Sequence, residues 1–225
     1  MPVRQDQTPQ VVTPQLMTAF ERTITPERWR TYQRAAGFNE ETAHRLYLWN
    51  AAVGQSFHYP LQTVEVALRN VVHQALQQAL GPVWWRGEPG RAALSRSLLD
   101  DVVKVERRFR SKYQRELEAG QVVASLSLGF WVTLLKRDYH SLIWDQYARQ
   151  AFPNLAEGEG LVQVYEAGKV IQNLRNRIFH QEPLIGRNLS ADYAAILKML
   201  GWICPETRGW VRYHASVPRV IRMRP

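Results

Sequence analysis

The stretch Leu61-Gln-Thr-Val64-Glu-Val-Ala-Leu68-Arg-Asn-Val71-Val72-His-Gln-Ala75-Leu76-Gln-Gln-Ala79-Leu80 decides the fold class. Leu61, Val64, Leu68, Val71, Val72, Ala75, Leu76 and Ala79 recur at three- and four-residue steps, the period of a helix with one buried face. Pro60 precedes it and Gly81-Pro82 follows, so the spacing predicts a helix over 61–80. Toward the N-terminus, Asn39 stands before Glu40, Glu41 and an apolar run through Leu46, Leu48 and Ala52, which predicts a separate helix. Before that, Thr25 is placed to N-cap a helix opening at Pro26 and Glu27, and the first dozen residues read as a polar, frayed arm.

Toward the C-terminus, the segment GPVWWRGEPG at 81–90 is turn chemistry carrying Trp84 and Trp85. Residues 91–118 predict one helix, dense in Arg107, Arg108, Arg110, Lys112 and Arg115 in its second half and ended by Gly120. The apolar run over 122–135 predicts a buried helix, since it is well short of the ~20 apolar residues that span a bilayer. A long helix over 161–181 is closed by Pro183, because proline disfavours helix in the residue before it. A helix over 190–203 and a segment after Pro205 complete the chain. No alternating strand pattern and no internal repeat occurs. The expected architecture is an all-α bundle with an N-terminal helical extension, organised as an arm and helices over 1–38, a main domain over 39–205 and a C-terminal segment over 206–225.

With 225 residues, 45% hydrophobic and 22% charged, the chain is long and apolar enough to bury a sizeable core. Lys and Arg number 29 against 20 Asp and Glu, a formal charge of +9. That balance favours a polyanionic partner, nucleic acid before an anionic membrane surface. Only five of the basic residues are lysine, so arginine-rich codon usage is the competing explanation. A single cysteine, Cys204, excludes an internal disulfide framework and suits a reducing compartment. The N-terminus lacks the apolar run of a signal peptide, so a soluble, cytoplasmic protein is expected.

Most familiar catalytic signatures are missing from the sequence. There is no GxxxxGK[ST] loop, no G-x-S-x-G elbow and no HExxH pair, and the six histidines are scattered. No metal ligand set and no cofactor are expected, so any catalysis would rest on Arg, His, Asn and carboxylates. These meet once in compact form, at Leu174-Arg175-Asn176-Arg177-Ile178-Phe179-His180-Gln181-Glu182-Pro183. Asn176 and His180 are four apart and share a helical face, and the long stem of Arg175 can swing toward it. Pro183 places His180 in the last helical turn. There the helix end favours imidazolium while Arg175 and Arg177 oppose it, a balance suited to proton transfer. Arginine and histidine without a metal match RNA cleavage by its own 2′-hydroxyl, and two copies of the motif in a symmetric dimer would supply both proton transfers. Equally, cations before a proline are ordinary helix C-capping.

LRNRIFHQEPL resembles the R-x4-6-H signature of the HEPN superfamily, and more narrowly the Abi-like (abortive infection) proteins of bacteria, which commonly read close to LRNRIAHHEPI. Three further stretches agree in order. Leu48-Trp49-Asn50 through Leu61 and Glu65-Val66-Ala67-Leu68-Arg69-Asn70 is similar to the family's first long helix, Gly81 to Trp84-Trp85 to its G-x-x-W-W turn, and Ser125 to Trp131 to its LSFGFW helix. The resemblance covers about residues 40 to 205.

It implies an all-α HEPN bundle that dimerises with its motifs facing each other. It also implies metal-independent endoribonuclease activity or RNA binding, as a toxin with an antitoxin partner or in phage defence. Arg175 would neutralise the scissile phosphate, Asn176 would orient it or the histidine, and His180 would be the acid or base. Glu65, Arg69, Asn70, Arg177 and Gln181 would bind RNA or support those residues. Glu65 and Arg69 also read as a simple i,i+4 salt bridge. Two positions depart from the family: Gln181 stands where relatives carry a second histidine, and Phe179 replaces a small residue. The tryptophans at 84, 85 and 131 and Phe130 are expected in the core or at a dimer interface rather than stacked on bases.

Overall fold

One helix organises the structure. The computed structural model describes residues 13–113 and 118–225; the expected N-terminal arm and Arg115 lie outside them. The chain is all-α, with no strand among the described residues.

Two short helices, α1 (Pro14–Ile24) and α2 (Pro26–Ala35), precede the central α3 (Glu40–Leu80). The sequence reading has no helix at α1, although Thr13-Pro14 repeats the Thr25-Pro26 start signal and the Thr13 hydroxyl caps Leu16 N–H at 3.2 Å. Thr25, the expected N-cap of α2, makes no side-chain cap. It is the only residue between the two helices and takes a φ of 71°, away from the extended backbone from which a threonine reaches the first turn. Asn39 does cap, accepting from Thr42 N–H at 2.9 Å.

The two helices expected on either side of Pro60 are one helix of 41 residues, about 60 Å long. Pro60 costs the Ser56 carbonyl its helical donor. However, Leu46, Trp49, Val53, Phe57, Pro60, Leu61, Val64, Leu68, Val72 and Leu76 keep one buried stripe in register through it. Burying that stripe outweighs one hydrogen bond, since each large apolar side chain contributes roughly 1.5–3 kcal/mol. Gly81, at φ 93°, ends the helix as expected.

The helix expected over 91–118 is divided into α4 (Glu88–Ala93) and α5 (Arg96–Tyr113) by an extended Leu94. Gly120 does not stop a helix. It lies in the first turn of α6 (Ala119–Ser125), where Glu118 N–H donates to Gln121 Oε1 at 3.2 Å. The apolar run expected as one helix is likewise broken between α6 and α7 (Leu128–Thr133), because the Ser127 hydroxyl accepts from Phe130 N–H at 3.3 Å and starts a new helix. Trp84, Trp85, Phe130 and Trp131 are all buried and pack ring against ring, so they belong to the core.

A 3₁₀ turn and a π turn lead into α8 (Asp145–Ala151), then α9 (Leu161–Phe179), α10 (Leu189–Ile203), α11 (Pro205–His214) and α12 (Val217–Arg222). α10 lies against α9, α11 and α3, while α2, α8 and α12 pack on α3. Trp29 and Tyr32 of α2 close one end of the core, and the Trp49 indole donates to the Val220 carbonyl at 2.8 Å, tying α12 to α3. No helix among the described residues is long and apolar enough to cross a membrane.

Candidate functional site

Helix α9 ends in a built stop. His180 is the C-cap, with its N–H on the Asn176 carbonyl at 2.9 Å. Gln181 N–H bonds the Ile178 carbonyl at 3.1 Å and Glu182 N–H the Arg177 carbonyl at 2.8 Å, the paired bonds of a Schellman motif. That motif needs a left-handed residue, and Gln181 supplies it at φ 58° where glycine is usual. His180 therefore sits one position beyond the last helical residue rather than within the last turn, and the Schellman bonds end α9 at Phe179, four residues before Pro183. Arg177 Nε donates to Glu182 Oε2 at 2.9 Å across the stop. Just after it, Leu184 N–H donates to Asn50 Oδ1 at 2.6 Å, fixing the turn to α3.

Arg175 turns the other way, toward α3. It lines an open cleft of ≈ 240 Å³ with His58, Gln62, Glu65, Val66, Arg69 and Phe179. Its guanidinium lies 4.3 Å above the Phe179 ring, and that ring stacks loosely on His58 at 6.5 Å. Glu65 pairs across the helices with Arg175, Oε2 to Nε at 3.5 Å, rather than with Arg69 on its own helix. At that separation Arg175 Nε is charge-paired but not hydrogen-bonded, and Arg69 Nε is likewise buried without a hydrogen-bond partner. Two guanidiniums thus line the cleft with one carboxylate, which leaves it net cationic.

The expected site residues do not all meet. Glu65, Arg69 and Arg175 come together in this cleft. Asn176 and Arg177 line a separate polar groove with Lys169, Asn173, Glu182 and Arg187. His180 and Gln181 are exposed on the helix stop and line neither depression, and Asn70 is exposed on α3. The His180 imidazole has no hydrogen bond or ion pair among the described residues. His58 is the residue that sequence reasoning missed. Its signal is the spacing 58, 62, 65, 69 along one helical face, which becomes visible only if α3 runs unbroken through Pro60.

One turn beyond Arg69 on α3, His73 does not line the cleft. The Trp84 indole N–H donates to His73 Nδ1 at 3.1 Å. Burial, then the neighbouring Arg69 guanidinium, holds the imidazole below its ordinary value, so it is neutral and accepting. Of the basic cluster on α5, Arg107, Arg108 and Arg110 are exposed. No family model matches the chain, and neither a curated protein nor a solved structure matches it significantly.

Proposed function

We propose that the protein is a HEPN-type endoribonuclease that cleaves RNA without a metal ion and acts as a bacterial toxin or defence effector. The observation that carries this reading is the meeting of Arg69 and Arg175 in one open cleft with a single carboxylate, Glu65, which leaves the cleft net cationic. A phosphodiester brings two anionic non-bridging oxygens, which the planar fork of a guanidinium binds through paired N–H donors. In the reaction, a base takes the 2′-hydroxyl proton and the 2′-oxygen attacks phosphorus. The P–O5′ bond breaks, an acid protonates the leaving 5′-oxygen, and a 2′,3′-cyclic phosphate remains. His180, on a turn fixed to α3 through Asn50, serves as one of those groups. A second copy of the chain supplies the other imidazole, and Asn176 orients the phosphate from its own polar groove.

A second reading is a HEPN module that binds RNA or an antitoxin without cleaving. It is favoured by the imidazole of His180 having no partner to fix its tautomer, and by Gln181 in place of a second histidine. Purified protein on generic RNA in EDTA separates the two. Cyclic-phosphate products, abolished by His180→Ala and reduced roughly 10²–10³-fold by Arg175→Ala, are expected. Salt-sensitive binding with no cleavage would replace the first reading with the second.

A further inference from the structure

Histidine is the side chain best suited to moving protons near neutrality, and the six in this chain stand in different surroundings. His44 is buried among the rings of Phe20 and Trp29. His73 accepts from the Trp84 indole, the His140 ring meets the Leu135 carbonyl at 3.3 Å, and His214 packs on Trp210 at 4.2 Å. His180 lines neither depression. His58 is different. It is exposed, makes no hydrogen bond or ion pair among the described residues, and lines the same cleft as Arg69 and Arg175.

The contacts show which part of the cleft His58 occupies. Its ring stacks on Phe179 at 6.5 Å, and the Arg175 guanidinium lies 4.3 Å above that same ring. Imidazole and guanidinium therefore meet at one side chain. The charged groups that face His58 are Glu65 and Arg69 from its own helix α3, and Arg175 from α9. The Glu65 carboxylate is engaged by Arg175 at 3.5 Å, whereas no polar partner holds the imidazole. A phosphate bound by Arg175 would thus lie beside an unengaged group able to take or give a proton. Phe179 also directly precedes His180, so the helix stop that carries His180 begins at the residue on which His58 stacks.

We infer that His58 is a catalytic residue of the cleft, exchanging a proton directly with the RNA whose phosphate Arg175 binds. Resting on the nuclease reading, this role makes one of the two proton transfers internal to the chain, in place of the second copy's imidazole. As the base, His58 takes the 2′-hydroxyl proton while the 2′-oxygen bonds to phosphorus. As the acid, it gives its proton to the 5′-oxygen while the P–O5′ bond breaks. The test is made on the full-length protein in EDTA with His58→Gln, which keeps a polar side chain at an exposed position but transfers no proton. Single-turnover cleavage of a labelled RNA should fall at least about 10²-fold, the usual effect of a positioned acid or base. Affinity for a 2′-O-methyl RNA, which has no free 2′-hydroxyl, should stay within about twofold by fluorescence anisotropy. One limb of the pH–rate profile should flatten, the acidic limb for a base or the alkaline limb for an acid. A His58→Gln protein that cleaves within about threefold of wild type would overturn the inference and leave the nuclease standing. So would two unchanged limbs, or a loss of rate matched by lost affinity, which would make His58 a binding contact only. A wild-type protein that cleaves no RNA would remove the nuclease and this role together.

Discussion

Lowering the pH should loosen the fold through His73. The perturbation is protonation of one imidazole, whose Nδ1 accepts from the Trp84 indole at 3.1 Å. Burial first, and Arg69 second, keeps its folded-state value below the ordinary 6.5. The unfolded chain therefore takes up a proton before the folded chain does. His73's contribution to stability is fully present above that ordinary value and is lost as pH falls through the folded one. Between the two values the loss approaches a ceiling of about 1.4 kcal/mol per pH unit, the linkage slope for one proton. For a chain of this length that corresponds to roughly 3–5 °C of melting temperature per unit.

The structural reason is plain. A protonated Nδ1 would set donor against donor and leave the fully buried Trp84 indole N–H with no acceptor. The assay is thermal unfolding from about pH 7.5 to 5.5, with His73→Gln as a control that keeps an acceptor but does not titrate. Subtracting the two profiles cancels the other histidines. If wild type and His73→Gln lose stability in parallel as pH falls, the assignment of His73 as a buried neutral acceptor is refuted.

Two substitutions test the backbone arguments. A Cβ on Gly90 would stand 1.5 Å from the Trp84 carbonyl oxygen, so Gly90→Ala must push α4 off the tryptophan loop. A loss of about 3 kcal/mol or more in urea unfolding is expected, and a near-neutral change would mean that α4 moves freely. Gln181→Gly should raise the melting temperature by about 1–4 °C, because glycine avoids the left-handed penalty at φ 58°. A fall would reveal a stabilising contact of the Gln181 side chain.

How much of this is legible in sequence turns on what each residue's signal depends on. The helical period from Leu61 to Leu80, the Asn39 start and the helices expected over 161–181 and 190–203 follow from local chemistry, and the structure agrees with them. The segment after Pro205, left without a structure by the sequence reading, forms α11 and α12. Proline is less transparent. Pro14, Pro26 and Pro205 each open a helix, and Pro183 follows one, but Pro60 sits inside α3. What separates Pro60 from the others is burial on a stripe that stays in register on both sides of it, and burial is a tertiary fact. The same fact governs the site. Glu65 and Arg69 stand out as charges on an apolar helix whether or not that helix is broken, so local reasoning reaches them. His58 lies on the far side of Pro60. It joins them on one face only when the helical phase carries across the proline, and with it comes the fourth polar group facing Arg175. Treating Pro60 as a boundary and overlooking His58 are therefore a single error, and the break at Ser127 has the opposite cause. There a local hydroxyl cap prevails over an apolar run that looks continuous, because a capped N-terminus satisfies donors that the run's hydrophobicity says nothing about.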